Sequence, residues 1–172
     1  CDHVGGLSYI LKKNSTVKVF FTDSFPDSLR GKIESYGADP IAIKEPREIS
    51  EGIWTTGELV ASYRGRNLRE QGIVINTSRG PVLVSGCAHP GIIIMVKKAR
   101  EIFGFPPYLV IGGFHLGPKN REEVRRIIGE FREESVQRLA PIHCTGEKAK
   151  GMIGKEYGKD CLDFGAGADI SV

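Results

Sequence analysis

The spacing of apolar positions changes along this chain, and each change marks an element. Leu7, Ile10 and Leu11 recur at helical intervals within 5–13, after which Val17-Lys18-Val19-Phe20-Phe21 reads as a buried strand. Leu29, Ile33 and Tyr36 restore a near-helical spacing behind Pro26, and Gly37 closes that helix. Residues 39–44 alternate as a strand that Pro46 stops, and residues 52–55 give a further short extended piece. A loop rich in arginine follows, carrying Arg64, Arg66 and Arg69. Two strands, 72–76 and 81–85, flank Thr77-Ser78-Arg79-Gly80 and predict a hairpin.

From there strands and helices alternate. Strand 82–85 leads to a helix over 90–103, with Pro90 at its first position. Strand 108–111 leads to a helix from Asn120 to about Glu133, where Asn120 is a good N-cap and Glu123 completes a capping box. Val124, Ile127, Ile128 and Phe131 form its core stripe. Strand 139–142 leads to a helix capped by Thr145 and carrying Ala149, Met152, Ile153 and Tyr157. The tail over 161–172 predicts a last strand pair, bent at Gly165-Ala166-Gly167. Alternating strands and helices imply α/β layers, and the hairpin implies a mixed sheet. With 172 residues and no linker or repeat, one domain over 1–172 is the expectation.

Composition narrows the class. A hydrophobic share of 40% and a charged share of 26% match ordinary soluble globular usage. A net charge of +3 with interspersed signs argues against nucleic acid, which wants a concentrated basic face. The longest apolar run, Ile92 to Val96, falls far short of the ~18 residues of a membrane span, and no leader pattern is present. The expectation is a cytoplasmic protein without membrane contact. Scarce Gln and Asn beside plentiful Ile, Lys, Arg and Glu lean toward a thermophilic source.

The chemistry lies in the histidines. All four stand where a predicted strand runs out and a helix begins: Asp2-His3-Val4-Gly5-Gly6, Gly86-Cys87-Ala88-His89-Pro90-Gly91, Gly112-Gly113-Phe114-His115-Leu116 and Pro141-Ile142-His143-Cys144-Thr145-Gly146. Ligands of α/β sheets collect outside the carboxyl ends of strands. Imidazoles and an aspartate delivered there form a ligand set suited to Zn, with Mn or Fe as alternatives. A helix N-terminus disfavours the protonated ring and so holds it in the metal-binding form. Cys1, Cys87 and Cys144 each lie within two residues of a histidine. They read either as soft ligands or redox thiols beside the metal, or as compact hydrophobes at tight strand ends, and burial statistics favour the second.

These motifs resemble the metallo-β-lactamase superfamily. Asp-His-Val-Gly-Gly-Leu at 2–7 resembles the end of its His-x-His-x-Asp-His signature, and Ser-Gly-Cys-Ala-His-Pro-Gly at 85–91 its third motif. Gly-Gly-Phe-His-Leu at 112–116, Pro-Ile-His-Cys-Thr-Gly at 141–146 and Trp-Thr-Thr-Gly-Glu-Leu at 54–59 are similar to a subgroup of archaeal and bacterial hydrolase-like proteins that includes a dihydropterin–ribofuranosylaminobenzene 5′-phosphate synthase. The resemblance implies an αββα sandwich with mixed sheets, here lacking its N-terminal strands together with the leading His-x-His. It implies that Asp2, His3 and His143 hold one divalent metal and that His89 serves the other.

His115 stands where the superfamily usually places a bridging Asp, so a ligand, a supporting donor or a general acid are all open to it; Asp2 and His115 are the candidate catalytic groups. The implied reaction is metal-assisted, with an acidified water or a pyrophosphate displacement acting on a phosphorylated small molecule, for which the resemblance suggests a pterin-related one. Arg64 and Lys148 are candidate phosphate contacts, and Thr55 and Thr56 candidate substrate-orienting hydroxyls. The alternative is a non-catalytic remnant with an incomplete metal site, serving as a structural or partner-binding module. Uncovered sheet edges in such a chain favour a homo-oligomer.

Overall fold

A computed structural model describes residues 4–63, 65–163 and 165–172, with only the backbone of Tyr63 and Arg66. The expected ligands Asp2 and His3 and the expected phosphate contact Arg64 therefore lie outside the described residues. The chain divides into two compact units, 1–45 and 46–172.

The first unit contains α1 (Leu7–Lys13), β1 (Lys18–Thr22), α2 (Asp27–Glu34) and β2 (Asp39–Ile43). β1 and β2 pair in parallel, Lys18 opposite Asp39 through Thr22 opposite Ile43. Parallel neighbours need a crossover, and α2 provides it. Leu11, Phe21, Ile33 and Ala38 form the core of this βαβ unit, whereas Ile10 stays 56% exposed.

The second unit is built on one six-stranded mixed sheet. Its strands are β3 (Arg47–Ser50), β4 (Ile53–Thr55), β7 (Ile73–Ile75), β8 (Val82–Ser85), β9 (Leu109–Gly113) and β10 (Arg138–Ile142), in the spatial order β10-β9-β8-β7-β4-β3. β8, β9 and β10 run parallel, and β7, β4 and β3 attach antiparallel. The mixed sheet expected from the sequence is thus present. Three helices bury one set of its side chains: α3 (Ile92–Phe103), α4 (Arg121–Glu133) and α5 (Glu147–Tyr157). The predicted stripe of α4 is fully used, with Val124, Ile127, Ile128 and Phe131 buried and Phe114 packed on Phe131 at 5.5 Å between ring centroids.

The α4 capping box is complete. Asn120 Oδ1 accepts from the N–H groups of Glu122 (3.0 Å) and Glu123 (2.9 Å), and the Glu123 carboxylate accepts from the Asn120 N–H at 2.8 Å. Such a cap holds the chain at one register as it leaves β9, which fixes the loop carrying His115.

Four local expectations are corrected. Arg66 and Arg69 lie on a strand rather than in a loop: β5 (Leu59–Tyr63) and β6 (Arg66–Glu70) form an antiparallel hairpin, with Arg69 paired to Glu58 at 2.9 Å. α3 begins at Ile92 behind Gly91, whose φ of 109° makes the turn, so Pro90 precedes the helix. Thr145 does not cap α5; it lies in a 3-10 turn (His143–Thr145), and its hydroxyl is drawn inward instead. Among its described residues the tail makes no strand pair but one bridge between Leu139 and Cys161, because a run of small and glycine residues has little side chain to bury there.

Candidate metal centre

Three parallel strands end at one edge of the sheet, and each soon delivers a histidine. The chain leaves β8 toward His89, β9 toward His115 and β10 directly into His143. Backbone strain collects at this edge. Ala88 (φ 56°), His115 (φ 51°) and His143 (φ 50°) are left-handed, a conformation costing on the order of 1–3 kcal/mol for a residue with a side chain. Among the described non-glycine residues only Ser135 shares it. Strain of that size persists where the surroundings fix the backbone, and here the surroundings are visible.

They are hydrogen bonds and missing side chains. Ser85 Oγ donates to the Gly113 carbonyl at 2.9 Å, and the Gly113 N–H donates to the Gly86 carbonyl at 3.1 Å. Thr145 Oγ1 accepts from the Phe114 N–H at 3.1 Å and donates to the Ile142 carbonyl at 2.7 Å, tying β10 to the strand beside it. A Cβ at Gly112 would stand 2.1 Å from the Ser85 oxygen, and one at Gly113 would stand 2.3 Å from the Gly86 oxygen and 2.7 Å from Cys144 Sγ. Only glycine lets the strand ends approach this closely.

Two side-chain groups result. In the first, the rings of His89 and His115 face each other at 4.5 Å between centroids. Glu70, at the end of β6, braces this group: its carboxylate accepts from the His89 N–H at 2.6 Å and the Cys87 N–H at 3.4 Å, and lies 3.2 Å from His89 Nδ1. A carboxylate against one ring nitrogen directs the other outward, the arrangement common behind metal-binding histidines. The second group is His143 with Cys87 and Cys144, whose ligand atoms all lie within 4.8 Å of one another. Cys87 is buried, Cys144 half-buried and His143 exposed.

A cleft of about 430 Å³ opens beside the first group. Ile93 and Ile127 lie among its apolar walls, His89 and His115 line it as well, and Lys97, Lys119 and Arg126 supply cationic groups. Arg126 also pairs with Glu130, and Lys119 with Glu123 at 3.6 Å.

Thr55, Thr56 and Lys148 are the other expected contacts among the described residues. Thr55 and Thr56 are fully buried. The Thr55 hydroxyl donates to Gln71 Oε1 at 2.7 Å, and the Thr56 hydroxyl accepts from the Gly72 N–H at 2.9 Å. In this structure both brace the segment joining β4 to β7. Lys148 is exposed and its ammonium donates to the Lys119 carbonyl, at the cleft's border. Glu70 escaped the sequence reading, since nothing local ties it to a histidine nineteen positions later.

Against known proteins, no family model matches this chain. The fold is that of the metallo-β-lactamase superfamily. A metal-dependent hydrolase of that superfamily superimposes with a TM-score of 0.79 at 23% identity, over 94% of this chain and 73% of its own. An isothiocyanate hydrolase from Delia radicum gut bacteria gives 0.54 at 8% identity, over 90% of this chain and 67% of its own.

Sequence relatives place it more finely. The 7,8-dihydropterin-6-methyl-4-(β-D-ribofuranosyl)-aminobenzene-5′-phosphate synthase of Methanocaldococcus jannaschii is 32% identical over 98% of this chain and 71% of its own length. An uncharacterised protein of the same organism is 30% identical over 86% of this chain and 66% of its own length. The chain belongs to the family of that synthase.

Proposed function

We propose that this chain is the metal-binding part of an enzyme that acts on a phosphorylated small molecule, pterin-related as in the synthase, by hydrolysis or by pyrophosphate displacement. The observation carrying this reading is the convergence of His89, His115 and His143 at one strained sheet edge, beside a cleft with apolar walls and cationic groups. Family membership supports an enzyme, and the ligand chemistry supports a divalent transition metal, zinc foremost, with Mn or Fe as alternatives.

Imidazole and thiol donors stand together here, so the residues fit such an ion. A bound divalent ion supplies Lewis acidity, which acidifies water and draws charge from a phosphoryl oxygen. Asp2, His3 and His143 are assigned to one ion and His89 to another. Glu70 orients His89 through Nδ1. His115 Nδ1 is buried, so proton transfer to a leaving oxygen is assigned to Nε2. The apolar walls suit a flat ring, and Lys119, with Lys148 and Arg64, suits its phosphate. Among the described residues no helix is long and apolar enough to cross a membrane.

The test is release of pyrophosphate or phosphate from a dihydropterin-6-methyl diphosphate, with and without the aminobenzene riboside phosphate, by protein stripped of metal and then reloaded. Release that appears only with metal is the expected result. A folded, metal-loaded protein that releases neither product from these substrates overturns the reading.

A further inference from the structure

The histidines account for only part of what the rim offers, because two sulfurs stand among them. The three ligand atoms of Cys87, Cys144 and His143 lie within 4.8 Å of each other. Around a tetrahedral ion with ordinary metal–sulfur and metal–nitrogen bonds, neighbouring ligand atoms stand about 3.5–3.8 Å apart. The difference is about 1 Å, within reach of rotation about the Cα–Cβ bonds.

The backbone reserves this space. Gly113 lies under Cys144, and any Cβ there would crowd its sulfur at 2.7 Å. The Cys144 thiol donates to the Cys87 carbonyl at 3.5 Å, which holds the second sulfur beside the first. A cysteine serving only as filler needs no histidine held left-handed beside it. Cys161 behaves as filler: it packs against the main core.

We propose that Cys87 and Cys144 are metal ligands, which together with His143 give this rim a sulfur-bearing ion site. The proposal rests on the metal reading above and deepens it by naming the class of ion: soft or borderline, as Zn, Co or Fe(II), rather than Mg, Ca or Mn. Each thiol that ligates releases its proton to solvent.

Cobalt(II) tests this without reference to activity. The full chain is stripped of metal, kept reduced and titrated with Co(II) while its absorption spectrum is followed. A Cys1→Ala/Cys161→Ala background leaves Cys87 and Cys144 as its thiols. The expected result is a sulfur-to-cobalt charge-transfer band in the near ultraviolet in that background. The band falls by about half in Cys144→Ala and disappears when Cys87→Ala is added. Trp54 fluorescence and circular dichroism check that each variant is folded. Visible cobalt bands without the charge-transfer band in the Cys1→Ala/Cys161→Ala protein overturn the sulfur site while leaving the histidine site standing. Absence of any cobalt spectrum in the unmutated, folded protein overturns both.

Discussion

Alanine placed at two glycines should move stability in opposite directions, for reasons visible in the structure. At Gly113 the backbone angle tolerates a side chain, so the cost is steric. The new methyl would stand 2.3 Å from the Gly86 carbonyl oxygen. An ordinary carbon–oxygen contact needs roughly 3.2–3.4 Å, so the ends of β8 and β9 must separate by about 1 Å. Overpacking of that kind costs about 1–3 kcal/mol. Separation also breaks the 3.1 Å hydrogen bond from the Gly113 N–H to Gly86, about 1 kcal/mol more. Gly113→Ala should therefore lose about 2–4 kcal/mol.

Gly129 provides the contrast. It lies inside α4, with nothing within 4 Å of where a Cβ would stand. Gly129→Ala should gain about 0.5–1 kcal/mol from helix propensity and the reduced freedom of the unfolded chain. Urea unfolding followed by fluorescence of Trp54, which packs on Phe103 at 6.1 Å between centroids, reads both. The midpoints should move apart with the slope unchanged. In thermal scans the Gly113 variant should melt roughly 5–15 °C lower. A Gly113→Ala protein within about 0.5 kcal/mol of the parent would refute the close approach that assembles the rim.

Glu70→Gln should weaken metal binding about 10- to 100-fold with the fold intact, because it removes the charge behind His89 Nδ1; equilibrium dialysis with Zn measures it, and unchanged affinity sinks the role given to Glu70. Asn120→Ala should cost about 1 kcal/mol in urea unfolding, since two N–H groups at the start of α4 lose their acceptor. Burial pushes the Tyr157 hydroxyl up to about 12, only partly offset by the Arg132 guanidinium above its ring, and that hydroxyl donates to the Val136 carbonyl at 3.3 Å. The unfolded chain gives up this proton near pH 10 and the folded chain near 12, so the contribution is complete below pH 10 and is lost as pH rises from 10 to 12. Tyr157→Phe should show a shallower alkaline loss of stability by up to about 2–3 kcal/mol, measured by urea midpoints across that range; parallel curves for the two proteins refute it.

What could be read from the sequence depended on how far apart the cooperating residues lie. α4 was legible to its ends, because its stripe and capping box are contained in fourteen consecutive residues, Asn120 to Glu133. The histidines 89, 115 and 143 were legible as a class, since each follows its own strand, and the parallel order of β8, β9 and β10 then brings those strand ends to one edge.

Contacts made across the fold were not legible. The hairpin β5–β6 looked like a loop because its arginines hide the alternation, and Arg69 finds its partner Glu58 only once the strands pair. Thr145 carried a helix-cap signature, yet the Phe114 N–H from the neighbouring strand end claims its hydroxyl. Glu70 had no signature at all.

Thr145 and Glu70 share one property: each accepts from backbone N–H groups where the strands of the main sheet end. A side chain facing a local cap competes with every long-range donor the fold brings near, and a buried N–H left unpaired costs about 1–3 kcal/mol, more than an exposed cap contributes. Thr145 therefore turns inward. By the same reasoning Glu70 is held at the rim by the N–H groups of Cys87 and His89 as well as by the imidazole, so the carboxylate that orients the histidine also closes the strained turn that presents it. Strain and chemistry at this edge depend on the same few atoms, and sequence periodicity carries no trace of them.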